Sequence, residues 1–157
     1  MAVTPCYWLF KSEPGDYSID DFERDGETLW DGIRSWQVRN CFRDQMQPGE
    51  RFVFYHSSCP QPAAVGIGEV AAAAVPDPLQ FSQKSKYYDP ASDRREPRWL
   101  AMPVKFVARA GSEYPLARMR TNRRLTSCRL LARGNRLSVL PLSPAHWREI
   151  TRAMKLG

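Results

Sequence analysis

The feature that most constrains the fold of this sequence is a series of short runs rich in aromatic and β-branched residues, each closed by turn-forming residues. Runs of this kind are typical of β-strands. No apolar stretch between them is long enough to span a membrane as a helix. The strands predicted in this way cover residues 6–10, 51–56, 63–74, 99–110 and 137–140.

Short helical segments are predicted between these strands. Ser18 caps a helix over residues 19–26, and Ser143-Pro144 begins a final helix with a cap and a first-turn proline. Apolar spacing predicts further helices over residues 36–46 and 125–132. Residues 30–33 and 75–98 are interpreted as irregular. The pattern indicates one α+β domain over residues 1–157, built around a small, strongly bent sheet or β-barrel.

Glycine and proline give this expectation two local details. Gly66 and Gly68 within a predicted strand indicate a β-bulge or a close backbone approach. Pro103 within the long strand over residues 99–110 indicates an edge or a bulge, because proline cannot donate a ladder hydrogen bond.

Charge is distributed unevenly along the chain, whose net charge is +6. Residues 1–78 hold 6 basic and 12 acidic residues, whereas residues 79–157 hold 17 basic and 5 acidic residues. A one-sided basic surface rich in arginine suits the phosphates of a nucleic acid, although a solvated basic face is the alternative. The predicted phosphate-binding residues are Arg118, Arg120, Arg123, Arg124, Arg129 and Arg133.

Residue patterns that would indicate catalysis or a cofactor are missing. There are only two histidines, the four cysteines form no C-x-x-C pair, and no phosphate loop or nucleophile elbow occurs. Gly66-Ile67-Gly68 lacks the third glycine of a dinucleotide fingerprint. Residues 1–5 lack the charged and apolar regions of a signal peptide. We therefore expect no enzyme, no metal, no cofactor and no membrane, and a cytoplasmic protein, or a nuclear one in a eukaryote.

Aromatic and polar side chains stand together at predicted strand ends. Lys11, Ser12 and Glu13 follow the first strand, and Tyr55, His56 and Ser57 end the second. Trp30 lies in a predicted loop, where an indole could offer a stacking face to a nucleobase. Polar groups at strand ends commonly line a ligand pocket. The alternative is that Trp30 and Tyr55 only fill the core.

Several motifs follow one another over nearly the whole length of the chain: residues 7–14 (YWLFKSEP), 17–18 (YS), 30–34 (WDGIR), 37–40 (QVRN), 54–57 (FYHS), 65–70 (VGIGEV), 76–77 (PD), 133–139 (RGNRLSV) and Pro141. In this order they make the chain resemble the EVE domain family. Two positions depart from the family pattern: Trp36 replaces a smaller aromatic residue, and Leu140 replaces glutamine.

The resemblance implies a PUA-like β-barrel with surrounding helices, similar to YTH and ASCH domains. It also implies recognition of a modified base, including methylated or hydroxymethylated cytosine in DNA. Trp30 would form an aromatic wall of the pocket. The other pocket residues implied by the resemblance are Lys11, Ser12, Glu13, Asn40, Tyr55, His56, Ser57, Arg136 and Ser138.

Three functions therefore stay open at the level of the sequence. The first is a module that captures a flipped, modified base by stacking and by edge hydrogen bonds. The second is a protein of RNA binding or processing, or an enzyme acting on nucleic acid. The third is a module for a protein or a small molecule, with an incidental basic face. DNA and RNA fit the first function equally, and protein partners are unknown.

Overall fold

The computed structural model describes residues 6–156, which form one mixed β-sheet with helices on both faces. Residues 1–5, on which the prediction about a signal peptide rests, lie outside the described residues. The strands are β1 Tyr7–Ser12, β2 Glu27–Trp30, β3 Arg51–His56, β4 Ala63–Val70, β5 Val75–Pro76, β6 Leu100–Pro115 and β7 Val139–Leu142. The helices are α1 Ile19–Asp25, α2 Trp36–Asp44, α3 Leu116–Met119 and α4 Pro144–Ala153.

The sheet is open, with the strand order β2-β6-β4-β3-β1-β7 and with β5 paired to β6. The α+β prediction is confirmed, but the prediction of a closed β-barrel is wrong. Among residues 6–156, no strand pairing joins the two edge strands β2 and β7. Thr28 and Trp30 of β2 and Ser138, just before β7, instead line a common cavity. The gap between the sheet edges therefore holds that cavity.

Two apolar cores lie on opposite faces of the sheet. Phe22 of α1 and Phe42 of α2 pack with Phe10 and Phe54 in the first core. The second core contains Ile150 of α4 and the alternate side chains of β1 and β3. This alternation follows from the two-residue period of a strand, and it decides which cavity each strand-end side chain can reach.

The helices begin where short polar side chains can cap them, as predicted. The Ser18 hydroxyl accepts a hydrogen bond from the Asp21 amide, and the Asp21 carboxylate accepts one from the Ser18 amide. Gly26, with a φ of 73°, ends α1. The Ser143 hydroxyl caps α4, and Pro144 occupies its first turn. The predicted helices capped by Ser18 and Ser143 are therefore confirmed.

Two local predictions differ from the structure. Trp30 ends strand β2 rather than lying in a loop. The predicted helix over residues 125–132 is wrong, since two short 3₁₀ turns, Arg123–Leu125 and Arg129–Leu131, occupy this region. The buried residues of this region are Leu125, Cys128 and Leu130, and exposed residues lie between them. Buried positions two to three residues apart suit the tighter 3₁₀ turn.

The predicted glycine positions are confirmed as places of close approach. The register between β4 and β6 shifts on either side of Gly66 and Ile67. A Cβ atom on Gly68 would overlap the ring of Phe52, and one on Gly66 would lie 2.5 Å from Ile19 Cδ1. Strand β4 can therefore approach Phe52 and Ile19 this closely only because Gly66 and Gly68 lack a side chain.

Candidate functional site

Two cavities lie at the carboxyl ends of the parallel strands β1 and β3. The large cavity has a volume of about 900 Å³, and the small cavity has a volume of about 550 Å³. Lys11, Ser57 and Ser58 line both cavities and form the wall between them. Seven predicted pocket residues line the large cavity: Lys11, Ser12, Glu13, Trp30, Ser57, Arg136 and Ser138.

Backbone hydrogen bonds between three strand ends hold this wall in place. The Ser57 amide donates to the Ser12 carbonyl over 3.0 Å, which continues the β1–β3 pairing past the end of β3. The Lys11 amide donates to the Ser138 carbonyl over 2.8 Å, which ties β1 to the segment before β7. The sequence motifs around residues 11–13, 57 and 136–138 therefore meet because their strands are neighbours in the sheet.

Trp30 forms a rigid wall of the large cavity. Its indole packs edge-on against Phe10 and Phe54, with ring centroids 5.0 Å and 5.5 Å apart. Only 8% of the residue is exposed. Edge-to-face packing fixes the orientation of the ring without a hydrogen bond. The part of the indole that faces the cavity is thus preorganised by the first core.

The loop after Trp30 is anchored by a buried carboxylate. Asp77 is completely buried, and its Oδ2 accepts hydrogen bonds from the Gly32 amide over 2.8 Å and from Arg34 Nη1 over 2.9 Å. Gly32 has a φ of 77°, which favours glycine, and a Cβ atom there would lie 3.0 Å from the Tyr87 ring. Asp77 therefore fixes the loop shape that the large cavity requires.

Tyr87 and Lys86 are cavity residues that the sequence analysis did not predict. Both line the large cavity, and Arg34 Nη2 holds this segment by donating to the Tyr87 carbonyl over 2.7 Å. They come from the segment interpreted as irregular, which contains no periodic pattern. The only signal was the aromatic pair Tyr87-Tyr88 beside a lysine, which does not by itself indicate a site.

Charges around the large cavity balance one another. Lys11, Lys86 and Arg136 supply the positive charges, and the acidic residues lining it are Glu13, Asp16 and Asp31. Burial lowers the pKa of the Lys11 ammonium group below its ordinary value. Desolvation, and then the negative charge of Asp77, raises the pKa of the Asp31 carboxyl group. Such a lining suits a polar ligand that carries little net charge.

Tyr55 does not line the large cavity. It points to the second core, because it alternates with Phe54 along β3, and it lines the small cavity instead. Only 3% of the residue is exposed. Burial, followed by the nearby Cys59, raises the pKa of Tyr55 to about 12. Its hydroxyl group therefore stays neutral at ordinary pH.

His56 and Asn40 also lie away from the large cavity. His56 Nε2 accepts a hydrogen bond from the Ile19 amide over 3.1 Å, at the start of α1. Burial lowers the pKa of the His56 imidazole. Asn40 lies on α2, and its Oδ1 atom is buried without a hydrogen-bond partner among residues 6–156. The family motif thus brings together seven of the residues implied by the resemblance and leaves out Asn40, Tyr55 and His56.

The predicted phosphate-binding arginines all lie exposed on α3 and on the segment that follows it. Arg118, Arg120, Arg123, Arg124, Arg129 and Arg133 form no ion pair with any residue in the described range 6–156. Arg118 lies 5.6 Å from the centroid of the Tyr114 ring. Two of them, Arg120 and Arg133, line the small cavity. These guanidinium groups are available to an anionic ligand.

Two searches of residues 6–156 complete the description of the site. No group of three or more histidine, cysteine, aspartate or glutamate side chains in this range is placed to hold a metal ion. No helix in it has the length and apolar character that crossing a membrane would require.

Comparisons with known proteins give consistent matches over most of the chain. The family model described as the EVE domain matches residues 6–153. Thymocyte nuclear protein 1 of Gallus gallus is 37% identical over 131 residues, which cover 76% of this chain and 54% of that protein. The match thus spans about half the length of that relative.

Solved structures of similar proteins have the same fold. A protein of Pseudomonas syringae aligns with a TM-score of 0.89 at 38% identity, covering 94% of this chain and 99% of its own. Human THYN1 protein, solved in complex with DNA containing 5-methylcytosine, aligns with a TM-score of 0.87 at 32% identity. That alignment covers 96% of this chain and 98% of the human one.

Proposed function

This chain belongs to the EVE domain family, and on that premise we propose that it binds nucleic acid and holds one modified base in the large cavity. The proposal describes a binding module formed by residues 1–157 as one domain, not an enzyme. Because its partner is a nucleic acid, we also propose that the protein lies in the cytoplasm, or in the nucleus of a eukaryotic cell.

The large cavity is the observation that carries the proposal. Trp30, fixed by Phe10 and Phe54, offers an apolar wall to a flat ring. Stacking of a base on an aromatic side chain contributes about 1–3 kcal/mol. The balanced charges of the lining favour a neutral heterocycle over a free anion. A volume of about 900 Å³ leaves room for a base with its sugar.

A captured base must leave its stack before it enters such a cavity. Unpairing costs least in single strands and at mismatches, so those contexts favour binding. The human THYN1 complex with DNA containing 5-methylcytosine supports DNA as the nucleic acid and that base as the first ligand to test. RNA forms the comparison arm of the experiment.

Stacking alone does not distinguish a modified base from its parent, because every base has a π-face. One buried methyl group contributes about 0.8 kcal/mol, so discrimination by the methyl alone stays within roughly tenfold. A polar modification gains a further 0.5–1.5 kcal/mol, roughly, if a hydroxyl group pairs with it. Ser12 suits this role, since its hydroxyl group donates a hydrogen bond to the Tyr17 carbonyl and its oxygen can still accept one.

The exposed arginines supply affinity for phosphate in this proposal, and the cavity supplies the choice of base. Phosphate contacts position a protein on a nucleic acid, whereas contacts with base edges specify sequence. The arginines from Arg118 to Arg133 form no ion pair with residues 6–156, which favours the first role.

Titration of matched oligonucleotides tests the proposal. Single strands of DNA and RNA that differ in one base, carrying cytosine, 5-methylcytosine or 5-hydroxymethylcytosine, are titrated at fixed salt by fluorescence anisotropy. We expect a modified base to bind more tightly than cytosine. Trp30→Phe keeps the core filled with an aromatic ring but shortens the cavity wall, so it should reduce this preference.

Trp147→Phe is the matched control, because Trp147 is equally buried but packs on Tyr7 in the second core. It should leave the preference for the modified base unchanged. Equal affinities across the whole set of oligonucleotides, with Trp30→Phe binding as tightly as the unaltered protein, would leave only a nonspecific basic domain.

A further inference from the structure

The small cavity lies directly behind the wall that closes the large cavity. Lys11, Ser57 and Ser58 line both cavities, so the two spaces are separated by one layer of side chains. The small cavity has a volume of about 550 Å³. Its size falls within the range of cavities that enclose small organic ligands.

The two cavities differ in charge. Three cationic side chains, Lys11, Arg120 and Arg133, line the small cavity, and its lining contains no aspartate or glutamate among the described residues. None of the three forms an ion pair within residues 6–156. The small cavity is therefore suited to an anion, whereas the large cavity is not.

Apolar side chains and hydrogen-bonded polar groups also line the small cavity. Leu116 and Leu130 line it together with the ring of Tyr55. On its rim, Asn135 Nδ2 donates to the Arg129 carbonyl over 2.6 Å, and Asn135 Oδ1 accepts from the Leu137 amide over 3.0 Å. Cationic side chains beside apolar ones match a nucleotide, which joins a phosphate to a sugar and a ring.

We infer that the small cavity is a second nucleotide subsite, which receives the nucleotide next to the captured base and binds its phosphate through Lys11, Arg120 and Arg133. This inference rests on the proposed function of the large cavity. Consecutive nucleotides are joined by a phosphodiester, so an anionic group must lie between their two rings. Lys11 stands at that point, because it lines both cavities.

A bulky substitution on the exposed rim tests this subsite without disturbing a core. Ala132 is exposed and lines the small cavity, so Ala132→Trp should obstruct it. Ala117 is also exposed but lines neither cavity, so Ala117→Trp is the matched control. The probe is a single-stranded DNA oligonucleotide with one internal 5-methylcytosine. Ala132→Trp should weaken its binding about tenfold, the loss expected when a charge-assisted hydrogen bond is removed, and Ala117→Trp should not.

Two further probes distinguish an adjoining nucleotide from a terminal phosphate. One is an oligonucleotide with an abasic residue next to the 5-methylcytosine, placed on either side. The other begins at 5-methylcytosine and is tested with and without a 5′-phosphate. The subsite predicts weaker binding with the abasic residue on one side only. Full affinity restored by the terminal phosphate alone would overturn it.

Failure of the subsite and failure of the proposed function are distinguishable. If the unaltered protein bound cytosine and 5-methylcytosine equally, the proposed function would fail. Ala132→Trp and Ala117→Trp would then still be compared on the plain oligonucleotide. Equal affinities of these two variants, on either oligonucleotide, would show that no nucleotide occupies the small cavity.

Discussion

Arg34 forms its ion pair with an Asp77 carboxylate that is completely buried, over a distance of 2.9 Å. The same carboxylate oxygen accepts a hydrogen bond from the Gly32 amide. The pair therefore connects the loop behind Trp30 to the segment before Pro78, and it forms part of the support of the large cavity. Buried charges of this kind are costly when one partner is removed.

Replacement of Arg34 by alanine should destabilise the protein strongly. Removing one partner of a buried pair costs about 3–5 kcal/mol, because the remaining charge stays without compensation. Urea unfolding followed by tryptophan fluorescence measures the change in the free energy of unfolding. Arg43→Ala is the control, since its pair with Asp44 is exposed and contributes at most about 1 kcal/mol. Equal losses in both variants would contradict the role given to Asp77.

Gly68→Ala should destabilise the protein by about 1–3 kcal/mol, the usual cost of overpacking a core. A Cβ atom at this position would overlap the Phe52 ring, which is itself fully buried. Thermal unfolding measures the effect. The control is Gly15→Ala, because a Cβ atom there meets nothing within 4 Å. A Gly68→Ala variant as stable as the control would mean that β3 and β4 can separate locally.

Stability should fall in mild acid through His56. Burial, only partly offset by Glu113 and Asp20, lowers the pKa of its imidazole in the folded protein. The folded state thus resists a proton that the unfolded state takes up near pH 6.5, roughly. The contribution of neutral His56 is present above that pH and is lost as the pH falls towards the lower folded pKa.

Urea unfolding at a series of pH values from about 8 to about 5 tests this dependence on pH. His56→Gln should flatten the dependence of the free energy of unfolding on pH in this window, because glutamine does not titrate. His146→Gln is the control, since the hydrogen bond of that imidazole to the Ser127 hydroxyl group is exposed. An unchanged pH dependence in His56→Gln would assign the titration to other groups.

The double substitution of Arg123 and Arg124 by alanine should lower the binding affinity for all oligonucleotides to the same extent. Both side chains are exposed and form no ion pair with residues 6–156. The slope of log K against log salt should fall by roughly 0.7–0.9 for each lost phosphate contact. A pair of alanines at Arg24 and Arg43, which have acidic neighbours, is the control. A changed preference between bases would mean that these arginines do more than bind phosphate.

Local signals in the sequence predict the parts of the fold that depend on neighbouring residues. Ser18 with Asp21, and Ser143 with Pro144, suffice to mark the starts of α1 and α4, because a helix cap involves only residues close in sequence. Strand β2 was not predicted, since Glu27–Trp30 is held by pairing with β6. Barrel closure was predicted wrongly for the same reason, because closure depends on edges that are distant in sequence.

The sequence predicts the site residues that lie at strand ends, but not those that reach the site from irregular segments. Lys11 and Ser57 meet because β1 and β3 are parallel neighbours, whereas their motifs predict only that each lies at a strand end. Tyr55 and His56 end strand β3 and point to opposite faces of the sheet, and His56 accepts a hydrogen bond from the Ile19 amide. Tyr87 reaches the large cavity through its contact with Arg34, a tertiary interaction with no pattern in sequence.

The position of β1 in the sheet has a consequence for how the protein is made. On one side β1 pairs with β3, but on the other it pairs with β7, residues Val139–Leu142, which a ribosome adds long after β1. Contacts between such distant residues form slowly, since a long loop must close first. A nascent chain therefore exposes one hydrogen-bonding edge of β1 until β7 has been synthesised. The wall between the two cavities, which needs the Lys11 amide on the Ser138 carbonyl, is completed only after translation has passed Ser138.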